Sequence, residues 1–189
     1  MEEISSSTFD DFAKWYLDRE MYEKQGSPTP SAPEGRLLAM REHHSGKMQP
    51  WFTTRAQWRI YRLTSHEELK ALMILASDWT RREHLIPEGK PRLLGNVSLG
   101  PEYFTPDRDP RNYYHRLQSG QIFLNGPNRF VLRTLNGSER EELAPFRVRT
   151  ARFYLHDGLG RALAYITLIQ RGVLSFSPVE AFVAEEMVG

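Results

Sequence analysis

The segment 25–35 divides this chain and limits what it can become. It holds Gly26, Ser27, Pro28, Pro30, Ser31, Pro33 and Gly35, and a proline, lacking an N–H group, joins neither a helix interior nor a central strand. An exposed, extended linker is expected there. It makes residues 1–35 an acidic arm and Pro-rich linker, and residues 36–189 a single domain of ordinary size with its own core. The linker contains Pro30-Ser31-Ala32-Pro33. An extended proline-rich peptide presents its side chains at low entropic cost, so this tetrapeptide reads either as a plain spacer or as a docking peptide.

Charge divides at the same place. Residues 1–35 carry three basic side chains against eight acidic ones, and the remainder twenty-two against sixteen. An acidic arm thus precedes a basic body, which it could cover, or which could meet an anionic partner. With 40% hydrophobic and 12% aromatic residues the chain is globular rather than disordered. The absence of cysteine removes disulfides, thiol nucleophiles and thiolate metal sites together. No apolar run approaches the roughly 18–20 residues of a membrane span, and residues 1–8 lack a secretory signal, so a cytoplasmic or inner-membrane-surface location is expected.

Within the arm, Ser7 or Thr8 followed by Asp10 or Asp11 signals a helix start. Phe9, Phe12, Ala13, Tyr16 and Leu17 then recur at helical spacing. The pattern predicts a helix over 8–24 whose aromatic stripe packs on the body or on a neighbouring subunit. Residues 51–63 read as a first strand. Ser65-His66-Glu67-Glu68 is a capping box, and Leu69, Leu72, Met73 and Ala76 extend it into a helix over 66–84. A period of two then suggests a short strand at 93–99, closed by Gly100-Pro101, and 101–120 reads as a long loop.

Two hairpins follow. The first pairs 121–124 with 130–135 around Asn125-Gly126-Pro127-Asn128; the second pairs 146–156, bulged near 150–153, with 161–170 around Asp157-Gly158-Leu159-Gly160. A third strand at 173–176 continues the meander, and Pro178 opens a terminal helix over 177–187. The expected fold class is α+β, a twisted antiparallel sheet packed on one main helix, with the helical arm and linker in front.

No catalytic signature emerges. The six histidines lack metal-ligand spacing: His43 and His44 are adjacent, His66 and His84 lie near opposite ends of one predicted helix, and His115 and His156 are isolated. Gly95 to Gly100 lacks the spacing and the lysine of a phosphate loop. Neither catalytic residue, metal nor cofactor is expected. Arginine is the more informative residue. Arg147 and Arg149 fall on one face of a predicted strand, and Arg129 and Arg133 lie on or beside another. Aligned across a sheet, they would form either a basic face for RNA or acidic lipid or an ordinary solvated face.

The order of these features resembles that of rhabdovirus matrix proteins: a Pro-Ser-Ala-Pro peptide in an N-terminal arm, a strand about twenty residues on, one helix, then a twisted antiparallel sheet with long loops. The motif-level match is Pro30, Ser31, Ala32 and Pro33, and the similarity of organisation covers 51–176. The acidic residues 1–25 depart from the family's typically lysine-rich arm. The resemblance implies a non-enzymatic adaptor of the virion whose late-budding motif docks on a host budding-machinery domain. It also implies that the basic body meets nucleocapsid RNA or acidic membrane, and that the N-terminal helix mediates self-association. The alternative reading is a microbial small-ligand binder or enzyme. Its pocket would lie between sheet and helix under the 101–120 loop, lined by Tyr103, Tyr113, Tyr114, His115 and Arg116.

Overall fold

In a computed structural model, which describes residues 1–25, 28–43, 56–74 and 85–186, the chain forms a mixed α+β fold around one five-stranded sheet. The strands are β1 (Glu2–Ser7), β2 (Ala56–Leu63), β3 (Phe130–Thr134), β4 (Phe153–Asp157) and β5 (Val179–Glu186), in the order β1-β2-β5-β3-β4. Every neighbouring pair is antiparallel except β3 and β5. The described helices are α1 (Phe9–Gln25), α2 (Pro33–His43), α3 (His66–Lys70), α4 (Tyr113–Gln118), α5 (Gly137–Leu143) and α6 (Leu159–Gln170).

Strand β5 organises the core because its side chains alternate between two apolar faces. Val179, Ala181 and Val183 join Phe130 and Leu132 of β3 under α6, whose residues 161–168 are all buried. Phe182 and Ala184 join Val131 and Trp58 on the opposite face, under Phe12, Ala13, Tyr16 and Leu17 of α1. The Phe12 ring stacks on Trp58 at 4.1 Å between centroids. The first 25 residues therefore supply an edge strand and a covering helix to the same sheet. The predicted helix over 8–24 is present with its stripe packed on the body, entered through a reciprocal cap in which Asp11 Oδ2 accepts from the Thr8 N–H and Thr8 Oγ1 from the Asp11 N–H.

Several expected elements take a different form. Residues 161–170 are not a strand: they belong to α6, whose residues 161–168 are all buried, so no solvent-facing polar stripe marks it as a helix in the sequence. The apparent Asp157-Gly158 hairpin turn is a strand-to-helix junction, with Gly158 as N-cap at φ +99°. The helix expected over 66–84 stops at Lys70. Met73 instead lies along the sheet edge, its N–H donating to the Phe153 carbonyl and its carbonyl accepting from the Leu155 N–H. This strand-like pairing outcompetes local helix propensity.

Residues 75–84 of that predicted helix, including His84, lie outside the described residues, as do 51–55 of the predicted first strand and His44. The strand expected at 93–99 is a tight turn over Leu94–Asn96, and residues 121–124 form no strand. Residues 146–152 are a turn and irregular chain. Residues 173–176 also form no strand; the Val173 and Leu174 N–H groups cap the end of α6 at the Leu168 carbonyl. Residues 179–186 are a strand rather than a terminal helix, because β2 and β3 pair with it on both sides. The linker ends earlier than expected, since Pro33 opens α2, the position where a missing N–H costs nothing.

Topology puts one junction at the centre of the molecule. From β3 the chain returns along β4, crosses through α6, and comes back along 171–178 to enter β5 parallel to β3. The return is tied to α6 by the Tyr165 hydroxyl, which accepts from the Ser177 N–H at 2.6 Å and donates to the Ser177 carbonyl at 2.9 Å.

Candidate anion-binding cleft

A cleft of about 340 Å³ opens where β4 passes into α6. Three segments wall it: Tyr16 and Arg19 of α1, the loop from Arg108 to Tyr113, and the turn from Asp157 to Arg161. Its lining holds four arginines (Arg19, Arg108, Arg111, Arg161) and two aspartates (Asp109, Asp157).

Each member is held by local structure. Arg19 sits on the face of α1 turned to the protein, with its guanidinium 4.8 Å from the Trp15 ring and 5.0 Å from that of Tyr16. Its Nη2 donates to Asp157 Oδ2 at 2.6 Å. Arg161 folds back over the N-cap of its own helix, where Nη2 donates to the Arg129 carbonyl at 3.1 Å and lies 3.6 Å from Asp157 Oδ2. Gly158 makes this possible: a Cβ there would sit 2.8 Å from the buried Phe130 ring and 3.0 Å from Arg161 Nη2. Asp109 is buried and already engaged, accepting from the N–H groups of Tyr113 and Tyr114, both at 2.9 Å. That contact fixes the start of α4 and turns the Tyr113 ring toward the cleft, 5.7 Å from the Arg161 guanidinium.

The ionisation of Asp157 reports the local field. Burial is the largest influence on this carboxyl and disfavours its charge. The charges of Arg19 and Arg161, with hydrogen bonds from Arg19 and the Gly158 N–H, nevertheless pull its pKa down to about 2. Burial, with Arg19 adding to it, pushes the Arg161 pKa below the ordinary arginine value, opposed by Asp157 and Tyr113.

Of the residues expected to line a pocket under the 101–120 loop, Tyr113 lines this cleft. Tyr103 and Tyr114 are buried, Tyr114 stacked on Phe104 at 4.6 Å; His115 is exposed, and Arg116 is not part of the wall. The four arginines expected on a basic face do not share one. Arg129 pairs with Glu180 at 2.8 Å, Arg133 is buried in a two-pronged pair with Glu139, and Arg147 and Arg149 are exposed on irregular chain. In the tetrapeptide, Ser31, Ala32 and Pro33 are exposed. Arg36, anchored by Asp10, donates to the carbonyls of Pro30 at 3.0 Å and Ser31 at 2.5 Å. Among the described residues no three His, Asp or Glu side chains converge as a metal site, and no helix is long and apolar enough to cross a membrane.

Arg19, Arg108, Arg111, Asp157 and Arg161 were not singled out by the sequence. The local signal was Asp157-Gly158-Leu159-Gly160-Arg161, which becomes meaningful once it is known to join a strand to a helix. Comparison with protein-family models, curated proteins and solved structures finds no match to this chain.

Proposed function

We propose that this protein binds a small anionic ligand in the cleft between α1, the 108–113 loop and the first turn of α6. The observation that carries the reading is the wall itself: four arginines against two aspartates around a solvent-open cavity, with Arg19 and Arg161 almost fully buried. Guanidinium groups in such a setting lose much of their hydration, and an anion supplied from solution would add charge-assisted hydrogen bonds at the open side of the cleft. Calorimetric titration with inorganic phosphate, citrate and acetate at low ionic strength tests it. Saturable binding, weakened by Arg108→Met, is expected; no binding of any of the three would remove the reading.

A second reading, the docking adaptor, is favoured by the exposure of Ser31, Ala32 and Pro33. Arg36 holds the peptide's carbonyls, so docking as an extended peptide requires that latch to release. Capture of a Pro-Ser-Ala-Pro-binding ubiquitin-recognition domain should therefore rise in Arg36→Ala and vanish when Pro30 and Pro33 become Ala. Capture unchanged by both variants would count against this reading.

A further inference from the structure

We infer that the segment from Ala144 to Arg152 is a docking surface for an anionic lipid bilayer, an apolar tip with a collar of arginines. The cleft plays no part in it.

The segment is ordered by which of its side chains face inward, although it is neither strand nor α-helix. Val148 and Ala151 pack onto a cluster formed by Met73, Leu93, Leu135, Leu143 and Tyr154. With those anchors buried, Arg147, Arg149 and Arg152 are left exposed. At the tip, Ala144, Pro145 and Phe146 form a single tight turn and all three are exposed, Phe146 by 41%. Arg147 ends that turn at φ +54°, its N–H donating to the Ala144 carbonyl at 3.0 Å. A non-glycine residue is uncommon in this conformation. The bend carries the chain from the apolar tip directly into the basic run. Three consecutive exposed nonpolar residues are a liability on a water-facing surface unless something covers them.

The collar is free to take a partner. Among the described residues Arg147, Arg149 and Arg152 form no ion pair, unlike Arg129, Arg133 and Arg161 on either side of them in the chain. Helix α5, which precedes the segment, does little to neutralise them, because Glu139 is held by Arg133 and Glu142 by Arg92. That leaves one exposed carboxylate of α5, Glu141, against three guanidinium groups.

Tip and collar together select the partner. A nonpolar wedge has a place in a bilayer, at the boundary of headgroups and acyl chains, while arginines around it stay among the lipid phosphates. Nucleic acid would use the same charges, yet single strands bind along a groove with aromatic platforms for successive bases. Phe146 is the one aromatic side chain from Ala144 to Arg152. Three arginines and one partly inserted ring make a weak, reversible attachment.

Co-sedimentation of the full chain with phosphatidylcholine vesicles, plain or carrying about 30% phosphatidylserine, tests this. Partitioning onto the phosphatidylserine vesicles alone is expected, and it should fall steeply between about 0.1 M and about 0.5 M salt as screening tightens. Arg149→Gln and Arg152→Gln should each weaken it about fivefold, and Phe146→Ser about tenfold. All three positions are exposed, so unchanged thermal midpoints are expected to show that the fold is kept. Arg108→Met, in the cleft, should leave vesicle binding as it is, which separates this surface from the cleft.

No partitioning onto phosphatidylserine vesicles, equal partitioning onto plain phosphatidylcholine, or binding indifferent to the three variants would overturn the assignment. Binding lost in Arg108→Met but kept in the three variants would move the lipid contact to the cleft and overturn it too. Tighter, arginine-dependent binding of single-stranded oligouridylate that Phe146→Ser leaves unchanged would make this a nucleic-acid face instead.

Discussion

Replacing Asp157 by Asn should weaken the fold and strengthen the cleft's hold on anions at the same time. Asn keeps the shape of the side chain and removes its charge. A carboxyl held at about 2 instead of 3.8 corresponds to about 2.4 kcal/mol favouring its ionised form. Since 32% of the side chain is exposed, solvent screening trims this to about 1–2 kcal/mol. The arginines add to the cost: the Arg19 and Arg161 side chains are 4% and 3% exposed, and removing one partner from buried ions costs up to about 3–5 kcal/mol. A loss of roughly 2–4 kcal/mol is therefore expected in urea denaturation at pH 7 in dilute, weakly coordinating buffer. Inorganic phosphate should then return more stability to the variant than to the wild type, because a built-in competitor is gone. Binding at ten times Kd contributes about 1.4 kcal/mol. An Asp157→Asn variant within about 0.5 kcal/mol of wild type, or one that phosphate stabilises less than wild type, would refute the reasoning.

Gly158→Ala places a Cβ at φ +99° against the Phe130 ring and the Arg161 guanidinium; a loss of about 2–4 kcal/mol is expected from backbone strain plus overpacking, and an unchanged thermal midpoint would contradict it. Glu139→Gln leaves Arg133 buried without its two-pronged partner and should cost about 3–5 kcal/mol, much of it recovered when Arg133 is also replaced by Met; denaturant midpoints of the wild type and the two variants decide this. Acid titration follows from Asp157, whose folded pKa lies below its unfolded value. Its contribution is fully present above about pH 4 and is lost as pH falls through about 2, so wild type should lose about 1–2 kcal/mol more than Asp157→Asn across that window. Parallel stability curves for the two would show that the carboxylate contributes nothing.

What the sequence revealed depended on whether a signal was local. Helix α1 was legible because Phe9, Phe12, Ala13, Tyr16 and Leu17 form a stripe behind the Thr8–Asp11 cap. The start of α3 was legible because Ser65 Oγ accepts the Glu68 N–H at 3.2 Å. Its end was not: Met73 leaves helical geometry to pair with chain 80 residues away at Phe153, and no local pattern announces a distant partner. Helix α6 was hidden for the opposite reason, since a segment buried on every side satisfies both periods. Strand β5 was mistaken for a helix because its identity comes from β2 and β3. The candidate cleft suffers from the same distance, with walls drawn from residues 16–19, 108–113 and 157–161. The 101–120 loop pointed to its neighbourhood, and Tyr113 was the one lining residue singled out.

The most direct measurement is the amide NMR spectrum of the assigned protein during titration with inorganic phosphate at pH 7.5. The N–H signals of Gly158 to Arg161 and of Arg108 to Tyr113 should shift together and saturate along a single curve. If those amides stay in place while signals elsewhere on the surface move, as around Arg147 and Arg149, the cleft is not where this protein meets an anion.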